Sequence, residues 1–238
     1  MFVKAAVKRV GELYSQGGVS EVARGVRDYI RMDLGTDPYS DRRSDNDERW
    51  EFISSHISDS DTSLIDVGCA EGEFVSRAAK HGMTATGYDL NVKRITAAKK
   101  RHSGLSEVNF EVLQFDPENI SDLPEADVIL FLTIHHHWES SYSVRESIDM
   151  FKYLLDRCEK LFYEPPGHLK MMDPSSDDDL DPDVSVEWYR SHLNELFGDE
   201  IRVVDHAMFD YKEGEERKDP LFYIDCSEFS LQKGTQKA

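Results

Sequence analysis

Three consecutive histidines, His135, His136 and His137, follow the apolar run ADVILFLTI and precede Trp138. Imidazole titrates near pH 6.5, so each ring can take a proton at neutral pH, and the neutral ring is also a metal ligand. Three readings compete. The histidines form a polar pocket rim, or one of them is a base, or His135 and His137 share a metal with Glu139, Glu164 or His168. The metal reading needs an extended backbone, and adjacent rings cannot all point at one ion without a kink, so no metal is assigned. A second polar group stands in YEPPGH, 163–168, where Pro165 and Pro166 direct the backbone and Glu164 and His168 are expected near the same rim. His135 or His136 is the expected base, with Glu164 in reserve.

A second constellation is LIDVGCAEGEF, 64–74. A short apolar run reaches Asp66, small residues follow at Gly68, Cys69, Ala70 and Gly72, and helical periodicity begins. Small residues let a backbone turn tightly and approach a ligand. Such a loop is weak evidence alone, but it stands here between a strand and a helix, which is the context it needs. Asp89 closes the next apolar run, in GYDLN, at the spacing where a carboxylate accepts hydrogen bonds from ribose hydroxyls. A dinucleotide fold would rest a pyrophosphate on this turn. Glu71 and Glu73 crowd it, and their charge would repel a pyrophosphate while tolerating a cation. Cys69 reads as a small packing residue of the loop.

The elements that must position these residues alternate. SLIDVG, TATGYDL, VNFEVLQFD, ADVILFLTI and EKLFYEPP read as strands. EGEFVSRAAKHG, NVKRITAAKKRH and SYSVRESIDMFKYLLDRC read as the helices between them. VSVEWYRSHLNELFG is a further helix, and EIRVVDHAMFDY and PLFYIDC are two late strands with no helix between them. This order predicts an α/β fold: a Rossmann-like, doubly wound, mostly parallel seven-stranded sheet with a terminal antiparallel strand. Open sheets of this kind bind ligands at the carboxyl ends of their strands, where the glycine loop, the histidines and Glu164 all fall.

With these motifs in place the chain resembles the class I S-adenosylmethionine-dependent methyltransferases over about residues 50 to 227. DVGCAEG and YDL look like the family's first two motifs. VLQFD, ending at Asp116, is similar to the third, and ADVILFLTIHHH to the fourth, where many members read like DVVLFLSVLHH. The commonest pattern has glycine where this chain has Ala70. The resemblance implies S-adenosylmethionine as methyl donor. It implies that Asp66 meets the methionine part or its ammonium, with Gly68, Cys69, Ala70 and Gly72 turning around it. Asp89 and the following Leu90 would meet the ribose side, Asp116 and Phe115 the adenine, and Thr133 and His135 would stand near the donor. The sulfonium is already a strong methyl donor, so the protein must chiefly align the partners and exclude water.

Composition bounds the acceptor. The 238 residues carry 47 acidic against 28 basic side chains, a net charge of −19. Such a surface opposes non-specific binding to phosphates and disfavours nucleic acid. Three widely spaced cysteines make no disulfide framework, which suits a reducing cytoplasm. No apolar run approaches the roughly 18 residues of a membrane span. Residues 1–33 carry six Lys/Arg against four acids, a net of +2 in a chain otherwise −21. Val19, Val22, Val26, Tyr29 and Ile30 recur there at helical spacing. That helix packs on the main domain or, in the alternative, residues 19–31 touch a membrane surface or partner. The expected organisation is a helical extension and linker over 1–49, a methyltransferase domain over 50–230 and a disordered tail over 231–238. The Asp-rich stretch 173–183 lacks the glycine and glutamate of a calcium loop and lies where a substrate lid would be. The expected function is O- or N-methylation of a small molecule or a glycan- or lipid-linked acceptor. RNA methylation is the runner-up, and a non-catalytic donor-binding domain is the reading from another class.

Overall fold

The computed structural model describes residues 43, 45–165, 182–198, 201–210 and 218–229. The expectations for the helix at 19–31, the acidic stretch 173–181, His168 and the tail lie outside them. Among the described residues seven strands form one sheet in the order β3-β2-β1-β4-β5-β7-β6. They are β1 (Ser63–Val67), β2 (Thr84–Asp89), β3 (Val108–Val112), β4 (Ala126–Leu132), β5 (Cys158–Glu164), β6 (Arg202–Asp210) and β7 (Lys218–Asp225). The pairs β1–β2, β1–β4, β2–β3 and β4–β5 are parallel. β7 runs antiparallel to both β5 and β6. Strand order reverses between β1 and β4, so the crevice above their carboxyl ends is the place for a ligand.

The helices are α1 (Asn46–Ser55), α2 (Glu73–Lys80), α3 (Val92–Arg101), α4 (His135–Ser141), α5 (Val144–Asp156) and α6 (Pro182–Phe197). Alternation along each strand sends successive side chains to opposite faces. Val128, Leu130, Leu132 and Phe162 face a core completed by Ile53 of α1, Phe74, Val75 and Ala78 of α2, and Ile95 and Ala98 of α3. Ile129, Phe131, Leu161 and Tyr163 face a second core with Trp138 of α4, Phe151, Leu154 and Leu155 of α5, and Tyr189 and Leu193 of α6. A strand buried on both faces must be apolar throughout, which is why ADVILFL reads as a continuous run. Helix ends are set locally. The Asn91 side chain accepts from the Lys93 and Arg94 backbone N–H groups at the start of α3. Ser143 and Glu146 form a capping box on α5.

One expectation is corrected. Arg43 and residues 45–49 do not form a linker: α1 begins at Asn46, and Arg43, Asp45 and Arg49 are buried. Their polar composition reads as a turn only because their ionic partners are far off in sequence. The three histidines, which follow β4, form the first turn of α4, so His135 stacks over Glu139 and points away from His137.

Candidate active site

The glycine loop joins β1 to α2 through three residues with positive φ: Gly68 (87°), Ala70 (49°) and Gly72 (78°). A side chain at Gly72 would strike the Phe110 ring at 2.3 Å, and one at Gly68 would strike Ile134 at 2.3 Å. Only hydrogen fits at these two positions. The Gly68 and Cys69 backbone N–H groups donate to the Tyr88 carbonyl, at 2.7 and 2.9 Å. The Ala70 N–H donates to the Asp89 carboxylate at 3.0 Å, and the Asn91 N–H to its other oxygen at 2.8 Å. Asp89 therefore pins the loop to the end of β2 and keeps lone pairs for further donors. Cys69 is buried, and burial first, then Asp66 and Asp89, hold its thiol well above the usual range, as befits a packing residue.

Asn46, Arg49, Asp66, Gly68, Ala70, Glu71 and Leu132 line one recess. Asp66 is buried, and burial pushes its carboxyl to about 7 against the opposing pull of Arg49. Arg49 lies 4.9 Å over the Phe74 ring and pairs with Glu164 and Asn46, while its buried Nε has no hydrogen-bond partner. A buried orphan donor is costly unless something completes it. A guanidinium and a carboxyl lining one recess suit the carboxylate and ammonium of an amino acid, so the residues present fit the methionine end of the donor. Thr133 adds two signs of a working site. Its φ is 59°, unusual for a β-branched residue, and its buried hydroxyl has no hydrogen-bond partner.

The expected adenine side is assembled differently. Phe115 is buried in the core, its ring 5.1 Å from that of Tyr88, and does not line an open surface. Asp116 shapes a turn by accepting from the Glu118 and Asn119 N–H groups at 2.8 and 3.1 Å. Leu90 is 57% exposed at the carboxyl end of β2, an apolar surface ready for a ring. The repulsion expected from the two loop glutamates is also softened. Glu73 pairs with Arg77 at 2.7 Å, and Arg94 lies 4.0 Å from both Glu71 and Asp89.

The expected bases separate into two environments. Glu164 was expected to face the acceptor. It is instead wholly buried, with one oxygen bonded to Arg43 and the other to Arg49. Arg43 also binds Asp45 at 2.6 Å and Asp219 at 2.9 Å. Burial alone would raise the Glu164 carboxyl, but Arg49 and Arg43 outweigh it and hold it low. A carboxylate so engaged is a poor base. His135 is also buried, its Nδ1 2.8 Å from the Tyr163 hydroxyl, and burial lowers it to about 3. His136 is half-buried and His137 exposed, with ring centroids 4.0 Å apart. Among the described residues no cluster of three or more His, Cys, Asp or Glu is arranged to hold a metal ion. No helix there is long and apolar enough to cross a membrane. The roles of Arg43 and Arg49 were not legible in the sequence, because arginines in a polar stretch look like solvated surface until the fold brings carboxylates to them.

Residues 65–161 match a family model described as a methyltransferase domain. No curated protein matches in sequence. Solved structures do. The bifunctional kinase-methyltransferase WbdD is similar at a TM-score of 0.57 and 20% identity, over 78% of this chain and 40% of WbdD. This chain thus spans well under half the length of that protein. The N-methyltransferase NodS from Bradyrhizobium japonicum WM9, in complex with S-adenosyl-l-homocysteine, gives 0.59 and 13%, over 83% of this chain and 96% of NodS. Magnesium protoporphyrin IX methyltransferase (ChlM) from Synechocystis PCC 6803, also bound to that product, gives 0.51 and 14%, over 92% and 93%. At these identities the likeness carries the fold, and the family model carries the activity. Residues 65–161 thus match a methyltransferase domain, and the glycine loop, the sheet order and the recess at its switch point give it a Rossmann-like fold suited to S-adenosylmethionine.

Proposed function

We propose that this enzyme methylates an oxygen or nitrogen of a small molecule or of a glycan- or lipid-linked acceptor. The observation that carries the reading is the pairing of a recess lined by Arg49 and Asp66 with a chain of net charge −19. That charge repels a polyanion and leaves uncharged or cationic acceptors favoured. NodS and ChlM supply precedents on the same fold, one an N-methyltransferase and the other acting on magnesium protoporphyrin IX. In this reading Arg49 and Asp66 hold the donor's carboxylate and ammonium, and Asp89 takes its ribose. Leu90 covers the base, and the strained Thr133 turn shapes the approach to the methyl group. Glu164 positions Arg49 from behind. The bound donor supplies an activated methyl group; the chain's residues orient it and keep water out.

The test is transfer from radiolabelled S-adenosylmethionine into a lysate separated into RNA, lipid, protein and small-molecule fractions. Label in the lipid or small-molecule fraction is the expected result. Label confined to RNA overturns the charge argument. No label, with calorimetry still showing donor binding, turns the reading toward a non-catalytic domain.

A further inference from the structure

Glu139 stands one turn into α4, at the carboxyl ends of β4 and β5, where Phe131 pairs with Tyr163 and Leu132 with Glu164. Helical spacing sets its carboxylate 3.9 Å from His135 Nε2. The His135 ring lies in an aromatic box, with centroids 6.0 Å from Phe131, 5.2 Å from Phe151 and 5.7 Å from Tyr163. Its Nδ1 is the hydrogen-bond partner of the Tyr163 hydroxyl, at 2.8 Å. With the Tyr163 hydroxyl as donor, Nδ1 accepts and the imidazole proton sits on Nε2. Nε2 has no hydrogen-bond partner, and the Glu139 carboxylate lies 3.9 Å from it. A shift of roughly 1 Å by the carboxylate would complete the bond. Tyr163 and His135 are closed off from solvent, whereas the Glu139 side chain keeps 17% exposure. The chain of contacts therefore has one open end, and that end is a carboxylate.

We propose that Glu139 takes the acceptor's proton during methyl transfer, positioned by the buried His135 and Tyr163. The proposal rests on the methyl-transfer reading above. As the acceptor oxygen or nitrogen forms its bond to the methyl carbon, the carbon–sulfur bond breaks and its electron pair stays on sulfur. The acceptor's proton passes to the Glu139 carboxylate, which leaves the product uncharged and Glu139 neutral. Burial raises the Glu139 carboxyl to about 7, which suits a group that must take and release a proton near neutral pH. The groups facing this chain are Tyr163 from β5 and His192 from α6, which acts on His135. Tyr189 of α6 lies beside Tyr163, and α5 contributes the Phe151 ring.

Two measurements test it. In ¹⁵N-histidine-labelled protein, His135, assigned through His135→Asn, is expected as the neutral Nε2–H form from pH 5 to 8. Its signals should follow a titration with midpoint near 7 that disappears in Glu139→Gln. An Nδ1–H tautomer, or no such titration, overturns the proposal. With the labelled acceptor fraction, Glu139→Gln should lower kcat by about 100-fold or more and abolish the rise of kcat through neutral pH. The KM for S-adenosylmethionine and the calorimetric affinity for S-adenosylhomocysteine should be unchanged. Glu139→Asp should recover part of the rate. A Glu139→Gln enzyme that keeps its rate and pH profile overturns the proposal. If the wild-type enzyme labels no fraction, the acceptor reading fails, and the histidine spectra decide the Glu139 proposal separately.

Discussion

Tyr163 and Glu164 are neighbours on one strand, yet they anchor two unlike clusters on opposite faces of the sheet. Behind Glu164, two arginines meet three carboxylates with both guanidinium groups out of water. Behind Tyr163, a neutral imidazole and a phenol share one hydrogen bond among aromatic rings. The difference follows from desolvation. A buried charge survives only with an opposite charge and hydrogen bonds around it, and a polar group without such partners stays neutral. The ionic cluster is thus a fixed anchor that holds α1 against β5 and β7. The neutral cluster is instead set beside a partly exposed carboxylate, Glu139.

The largest effect is expected from Glu164→Gln. It leaves Arg43 and Arg49 facing an uncharged partner and should cost about 3–5 kcal/mol in urea unfolding. The Glu164 carboxyl is held low in the folded state, so its stabilisation is present above the unfolded value and lost as pH falls through the folded one. Wild type should lose stability on acidification, and the variant should lose that leg of the profile. An unchanged acid limb would show that the cluster is not the anchor described.

Asp66 has the opposite sign. Its carboxyl is raised to about 7, so its proton is bound more tightly folded than unfolded. Its contribution is full below pH 4 and is lost as pH rises toward 7, on the order of 2–4 kcal/mol. Asp66→Asn should flatten thermal stability across that window. Donor binding should behave inversely. A cationic ammonium favours the ionised carboxyl, so wild-type affinity for S-adenosylhomocysteine should rise through pH 7, with proton release seen by calorimetry in buffers of different ionisation enthalpy. Asp66→Asn should bind weakly with neither dependence.

Arg49→Gln tests the donor site, where Arg49 also belongs to the anchor. Loss of a charge-assisted contact should weaken S-adenosylhomocysteine by about 10- to 100-fold, roughly 1.5–3 kcal/mol. An unaltered affinity would remove Arg49 from the donor site. The smallest change is expected from Tyr163→Phe. One neutral hydrogen bond is worth about 1 kcal/mol, read as a small shift in unfolding midpoint with donor affinity intact. A loss as large as that of Glu164→Gln would erase the contrast between the two faces.

Much of this was legible in advance. Five strands and their intervening helices followed from apolar periodicity, and the late strand pair from the absence of a helix between them. The glycine loop was recognisable because its small residues stand between a strand and a helix. Two parts were not. HHHWESS has no apolar repeat, so nothing local announced the short helix α4 that sets Glu139 against His135. Likewise DRRSDNDER is locally indistinguishable from a solvated linker, and two of the partners of Arg43, Glu164 and Asp219, lie 121 and 176 residues away.

The order of residues by itself determined the layered α/β architecture, the turn at Gly68 and Gly72, and the end of the sheet where the candidate site lies. These depend on period, side-chain size and short-range geometry, which are local. Only the tertiary structure decided which carboxylates are charged. Ionisation depends on distance from water and on neighbours across the sheet, so Glu164 is held charged between two arginines while burial raises the Glu139 carboxyl to about 7.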